Sequence, residues 1–180
     1  SRNPGVRRFE KLVADQYLGE IVRNLITDFM DQQLLFTVSC DVSKINEGYS
    51  FHTAYMAPIM EDTLADLSSV GDLFKTVFGI RAELADRQII RALCDCVASR
   101  AARLSGAALA ALVARSTLTT RPCTVALGGV LLNSKPIFRT TLATMYQQLS
   151  NDKAADVYVQ PRHSDLLGAA LNAARLSLLC

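Results

Sequence analysis

Asn3-Pro4-Gly5 followed by Phe9-Glu10-Lys11, and then Tyr17-Leu18-Gly19-Glu20, set the reading of this chain. Pro4 and Gly5 mark a turn. Beyond it Leu12, Val13, Tyr17, Leu18, Ile21, Val22, Leu25, Ile26 and Phe29 recur at steps of three and four. That spacing predicts a helix over residues 9–30 with a broad apolar stripe along one side. Glu10 falls near its first turn, where a carboxylate complements the positive end of the helix dipole. Leu34, Leu35 and Phe36 then dock a connecting segment that reaches Cys40.

Working outward, residues 41–85 read as short helical pieces and turns punctuated by Gly48-Tyr49-Ser50 and Pro58, with a modest amphipathic helix over residues 70–77. A second long helix starts at Asp86, read as its cap, and carries Ile89, Ile90, Leu93, Val97, Ala101 and Leu104 on one face. Its later half, from Ala101-Ala102 through Gly106 to Ala110-Ala111, is so rich in small residues that another backbone must pack closely on it. Thr119-Thr120-Arg121-Pro122 ends the helix. Residues 123–127 read as a buried strand closed by Gly128-Gly129, and residues 130–132 as its hairpin partner. Pro136 opens a further helix with Phe138, Leu142, Met145, Tyr146 and Leu149 inward. A short strand over residues 157–159 and a final helix capped by Ser164 or Asp165 complete the order. The succession is helix-rich first and α/β last, with no repeat or linker. It predicts one unit whose core includes Ile21, Leu25, Ile89, Leu93, Val97 and Leu104.

The opening motifs resemble the hexokinase family. Ser99-Arg100-Ala101-Ala102-Arg103-Leu104, Pro136-Ile137-Phe138 and Gly168-Ala169-Ala170-Leu171 recur in that family's order and spacing. The resemblance spans nearly the whole chain but only the later part of a hexokinase. It implies an α/β fold of the actin-like ATPase (ribonuclease H-like) class, residues 1–180 forming the helix-rich C-terminal (large) lobe, with the upstream small lobe absent. It also implies ATP-dependent phosphorylation of glucose or a related hexose, with Mg-ATP as the phosphoryl donor. By resemblance, Glu10 accepts hexose hydroxyls, with Asn3 and Arg7 beside it. A carboxylate can take two hydroxyls in one plane and so orient the ring. The family's general-base aspartate and its Asp-Leu-Gly-Gly-Thr phosphate loop belong to an earlier part of the family sequence. No catalytic residue is therefore assigned to this chain.

The family's nucleotide segments map here onto Asp15 and Gln16, Thr53 and Ala57, Gly129 and Val130, and Asp165 and Gly168. All four segments depart from the pattern. A small Ser-Gly or Gly-Gly pair is replaced by Ala14-Asp15, which puts a negative charge where polyphosphate would approach. At about 5 Å and an effective dielectric of about 20, such a contact costs about 3 kcal/mol before screening, roughly a hundredfold in affinity. Thr-Lys-Phe-Leu-Ser becomes Thr53-Ala54-Tyr55-Met56-Ala57, which keeps the first hydroxyl and loses the last. Val-Asp-Gly-Ser becomes Leu127-Gly128-Gly129-Val130, and two of three glycines are missing around Asp165 and Gly168. Glycine lets backbone approach phosphate closely, so these changes predict a degenerate ATP site. A catalytically inactive relative that serves as a regulatory or structural interaction module is the alternative. In either case the face around Asn3, Glu10, Val130 and Leu166 is expected to be covered by a second lobe or a protein partner.

Composition narrows the remaining choices. The 180 residues are 50% hydrophobic with a net charge of +2, and the charges are scattered, so there is no basic stripe for nucleic acid. No stretch reads as a membrane span. Five cysteines (Cys40, Cys94, Cys96, Cys123 and Cys180), without C-x-x-C spacing, suit a cytoplasmic or other reducing compartment. Cys94 and Cys96 point about 200° apart on a helix and cannot readily share a metal. His52 and His163 have no ligand partners at metal-site spacing, so no metal is assigned.

Overall fold

Residues 9–30 do not form a single helix. The computed structural model, which describes residues 4–37, 41–115 and 136–150, divides them at Ala14. Helix α1 (Arg8–Val13) ends as the Ala14 N–H donates to the Glu10 carbonyl, and Ala14 is extended, with φ −77° and ψ 137°. Helix α2 (Asp15–Asp31) starts immediately after it. The break frees each helix to present its own face. Leu18, Val22 and Ile26 of α2 are fully buried, whereas Phe9 and Leu12 of α1 lie exposed, contrary to a continuous stripe. Downstream, Leu35 is buried but Leu34 is exposed, so the connecting segment docks through fewer residues than its composition suggests.

Short helices fill the next stretch: α3 (Ser43–Asn46), a 3-10 turn (Thr53–Tyr55), α4 (Met56–Glu61) and α5 (Ser68–Leu73). The expected helix over residues 70–77 is thus α5 continued by a π-helical turn, Phe74–Phe78. Gly79, at φ 75°, stops it. The Ile80 N–H reaches back to the Phe74 carbonyl at 3.2 Å, closing the last turn. Asp62 starts α5 from outside, accepting the Val70 and Leu64 N–H groups at 3.1 Å each. Burial pushes the Asp62 carboxyl up, but the N–H groups of Leu64 and Val70, with Ser69, outweigh burial and hold it below the usual range. Phe36, Phe51, Phe74 and Phe78 form the aromatic centre. Phe51 and Phe78 stack in parallel at 6.2 Å, with Tyr55 edge-on to both.

Helix α6 (Leu84–Arg115) packs against α1, α2, α4 and α5 and against α7 (Pro136–Leu149). It starts two residues before Asp86. That residue occupies the third helical position, and its carboxylate reaches back to the Glu83 N–H at 3.0 Å, the return half of a capping box. The buried line along α6 is Ile90, Cys94, Val97 and Ala101, with Ala98 and Ala102. Of the six core residues expected, Val97 alone is fully buried. Ile21, Leu25, Ile89 and Leu93 flank the core partly buried, and Leu104 is also partly buried. The displacement has a physical cause: small Cys and Ala side chains let neighbouring helices close on the centre line, leaving the bulkier residues beside it. By length and composition α6 could cross a membrane, which the sequence reading did not anticipate. Here it packs against the other helices instead.

The close backbone neighbour implied by the small residues of α6 is α7. A Cβ built at Gly106 would lie 2.5 Å from the Leu142 carbonyl oxygen. Phe138, Leu142 and Tyr146 of α7 face inward, but Leu149 is exposed. Gly106→Ala is therefore expected to push the two helices apart. It should lower unfolding free energy by about 1–3 kcal/mol, as read by urea denaturation, despite alanine's better helix propensity. The expected strands over residues 123–127, 130–132 and 157–159 and the final helix lie outside the described residues.

Candidate functional site

Two residues from the motif Tyr17-Leu18-Gly19-Glu20 fasten the segment of residues 49–53 onto α2. Gly19 is the first. A Cβ there would lie 2.3 Å from the Phe51 carbonyl oxygen and 2.5 Å from the Thr53 nitrogen, so only glycine admits this crossing. The Gly19 N–H donates to the Thr53 hydroxyl at 2.8 Å. That hydroxyl in turn donates its proton to the Asp15 carbonyl. Thr53 thus bridges a donor and an acceptor of α2's first turn.

Glu20 is the second. Both its oxygens accept from Arg23, from Nε and from a terminal nitrogen, at 2.8 Å each. One of them also accepts the Tyr49 N–H at 2.7 Å. Arg23 donates further to the Ile45 carbonyl at 3.4 Å and to the Asn24 side chain at 2.9 Å. Burial raises the Glu20 carboxyl, yet hydrogen bonds from Arg23 and Tyr49 and the guanidinium charge prevail and hold it below its usual range. Its contribution to stability is therefore present above the ordinary carboxylate range and lost as pH falls through the lowered value.

Between the first turn of α2 and this fastened segment lies an open cavity of about 640 Å³. Its described lining is Asp15, Gln16 and Tyr17 on one side and Tyr49, Phe51, His52, Thr53 and Ala54 on the other. Three of the expected nucleotide residues, Asp15, Gln16 and Thr53, are thereby brought together across 38 positions of sequence. Ala57 sits half-buried on α4 and is not part of the lining. Tyr17, Tyr49, Phe51 and His52 were not expected. Gly48-Tyr49-Ser50 registers in the sequence only as a turn, and nothing local ties it to α2.

Across Ala14 from this cavity stands the pair expected to meet sugar. The Arg7 guanidinium lies 3.6 Å from the Glu10 carboxylate, which keeps 38% of its side-chain surface exposed. Such an exposed pair is weak, so Glu10 retains capacity to accept other hydrogen bonds. Asn3, Gly129, Val130, Asp165 and Gly168, and Leu166 of the face expected to be covered, lie outside the described residues.

The chemistry of the cavity bears on Mg-ATP in two opposing ways. The start of a helix of 17 residues supplies N–H groups suited to an anion. Against that, its first residue is the acidic Asp15, the described lining contains no lysine or arginine, and the Thr53 proton is engaged by the Asp15 carbonyl. Among the described residues no group of three His, Cys, Asp or Glu side chains is placed to hold a metal. Cys94 is buried, with burial and then the Asp95 charge pushing its thiol up, and Cys96 is exposed, as their spacing on the helix requires.

The family model described as hexokinase matches residues 1–175. Hexokinase-1 of Schizosaccharomyces pombe is 30% identical over 179 residues, covering 99% of this chain and 36% of the relative. Hexokinase-1 of Spinacia oleracea is 34% identical, covering 97% of this chain and 36% of the relative. Among solved structures, the Schistosoma mansoni hexokinase complexed with glucose superposes with a TM-score of 0.73 at 27% identity, covering 85% of this chain and 34% of that one. The chain thus spans about a third of the length of the relatives it matches.

Proposed function

The chain belongs to the hexokinase family and has its actin-like ATPase fold, and from that premise we propose that it is the large-lobe part of an ATP-dependent hexose kinase whose nucleotide site is weakened. Glu10 orients glucose or a related hexose by accepting its hydroxyls, with Arg7 and Asn3 alongside. The cavity at the start of α2 faces the nucleotide. One observation carries this reading: Asp15, Gln16 and Thr53, assigned to the nucleotide by resemblance, converge on a single cavity. When bound, Mg-ATP would supply the transferable phosphoryl group. The residues of this chain would bind and orient, while proton removal falls to the family's aspartate in the other lobe. The engaged Thr53 hydroxyl and the Asp15 carboxylate support weak rather than tight nucleotide binding. The cysteine pattern supports a reducing intracellular compartment. Steady-state hexose phosphorylation by the protein carrying this chain is the test: Glu10→Ala should lower kcat/KM for hexose, and unchanged kinetics would count against the reading.

A second reading, an inactive relative acting as a regulatory or structural interaction module, is favoured by exposed apolar residues on α1 and just before it. Val6, Phe9 and Leu12 are 56%, 49% and 39% exposed and lie three residues apart, next to Glu10. Absence of hexose turnover in the intact protein, at saturating Mg-ATP, would move the assignment to this reading.

A further inference from the structure

We propose that Glu20, together with Arg23, is a positioning residue for the cavity at the start of α2, setting the place of the wall that carries Tyr49. The inference rests on the cavity assignment above only for its consequence on nucleotide binding. Glu20 does not line the cavity, so it acts through Tyr49. Tyr49 sits at φ 65°, in the left-handed region that a residue with a Cβ occupies at a cost. Such a backbone persists only where its surroundings hold it. The hold here is specific: the Tyr49 N–H is bound at 2.7 Å by a carboxylate that is itself fixed by the Arg23 fork. Arg23 extends the same clamp to the Ile45 carbonyl, so both ends of the turn from Ile45 to Tyr49 are tied to α2. Four residues later the Thr53 hydroxyl ties the segment to α2 a second time. The width of the cavity is therefore set by two anchors on adjacent residues, Gly19 and Glu20. This gives the Gly19-Glu20 motif a physical role that its helical position alone does not.

Glu20→Gln tests the proposal, because the amide places an N–H₂ donor against the guanidinium and cannot accept the whole set of bonds. In the intact ligand-free protein, hydrogen exchange of the segment from Ile45 to Phe51 is expected to quicken by about tenfold or more, while exchange in α7 stays unchanged. Arg23→Lys, which keeps the charge and loses the fork, should shift exchange in the same direction by less, and it serves if the glutamine variant does not fold. Unchanged exchange at this segment in either folded variant, even with a lowered thermal midpoint, would overturn the proposal by showing a merely structural ion pair. The kinetic arm bears on the cavity assignment separately: KM for Mg-ATP should rise while KM for hexose holds. Faster exchange with an unchanged Mg-ATP KM would support the positioning role and count against the nucleotide assignment.

Discussion

Replacing Gly19 by alanine is expected to lower stability by about 3 kcal/mol or more and the thermal midpoint by about 10 °C. Helix propensity alone argues the other way, since alanine in a helix interior is favoured over glycine by about 0.5–1 kcal/mol. Sterics decide the sign. The added methyl would meet the Phe51 carbonyl oxygen at 2.3 Å, the Thr53 nitrogen at 2.5 Å and the His52 carbonyl carbon at 2.8 Å, all backbone atoms that cannot rotate aside. Either α2 or the residue 51–53 segment must shift, and with it go the bridge through Thr53 and the shape of the cavity. Gly71→Ala is the internal comparison. The three atoms nearest its methyl belong to the Arg87 guanidinium, at 2.7 to 3.0 Å, a side-chain end that can move at the expense of its bonds to the Ala82 and Asp66 carbonyls, at 2.9 and 2.8 Å. Calorimetry should show a smaller change there than at Gly19. Equal effects at both positions would mean that the crossing at Gly19 is not as close as described.

Glu10→Ala in the protein carrying this chain is expected to reduce kcat/KM for hexose phosphorylation by about a hundredfold or more. Two hydroxyl bonds to a carboxylate are worth about 1.5–3 kcal/mol each, so their joint loss, about 3 kcal/mol or more, corresponds to about a hundredfold or more. The stability effect should be slight, because Glu10 is half-exposed and its pairing with Arg7 at 3.6 Å is an exposed contact. That separation of activity from stability distinguishes a sugar-contacting carboxylate from an ordinary first-turn glutamate. A variant with unchanged kinetics would remove Glu10 from the site.

Which parts of this architecture were legible in the sequence follows from the range of the signals. Helix periodicity is local, so α2, α6 and α7 were recognisable, as was the need for a close neighbour to the alanines beside Gly106. Proline at the first position of α7 marked its start correctly. The break at Ala14 was not legible, because alanine favours helix and nothing in its neighbourhood forbids one. Its extended backbone reflects how α1 and α2 each pack on α6. On the inward face of α6 Ile90, Val97 and Ala101 were read correctly, but Cys94 and Ala98 were missed in favour of Ile89, Leu93 and Leu104, because Cys and Ala weigh less than Leu in a hydrophobic pattern, although small residues are what lets helices meet. In the site, resemblance supplied Asp15, Gln16 and Thr53 but not the aromatic wall. Tyr49 reaches the cavity through a hydrogen bond to a carboxylate 29 residues earlier, a pairing that no single-sequence spacing rule encodes.

The most direct test of a weakened nucleotide site at the start of α2 is isothermal titration of the protein carrying this chain with Mg-ATP, in the presence of glucose. From Asp15 in the lining, the Thr53 proton engaged by a backbone carbonyl and a described lining without lysine or arginine, the expected dissociation constant is well above the micromolar range. A micromolar dissociation constant, equivalent to about 8 kcal/mol of binding free energy, would contradict the weakening of the site.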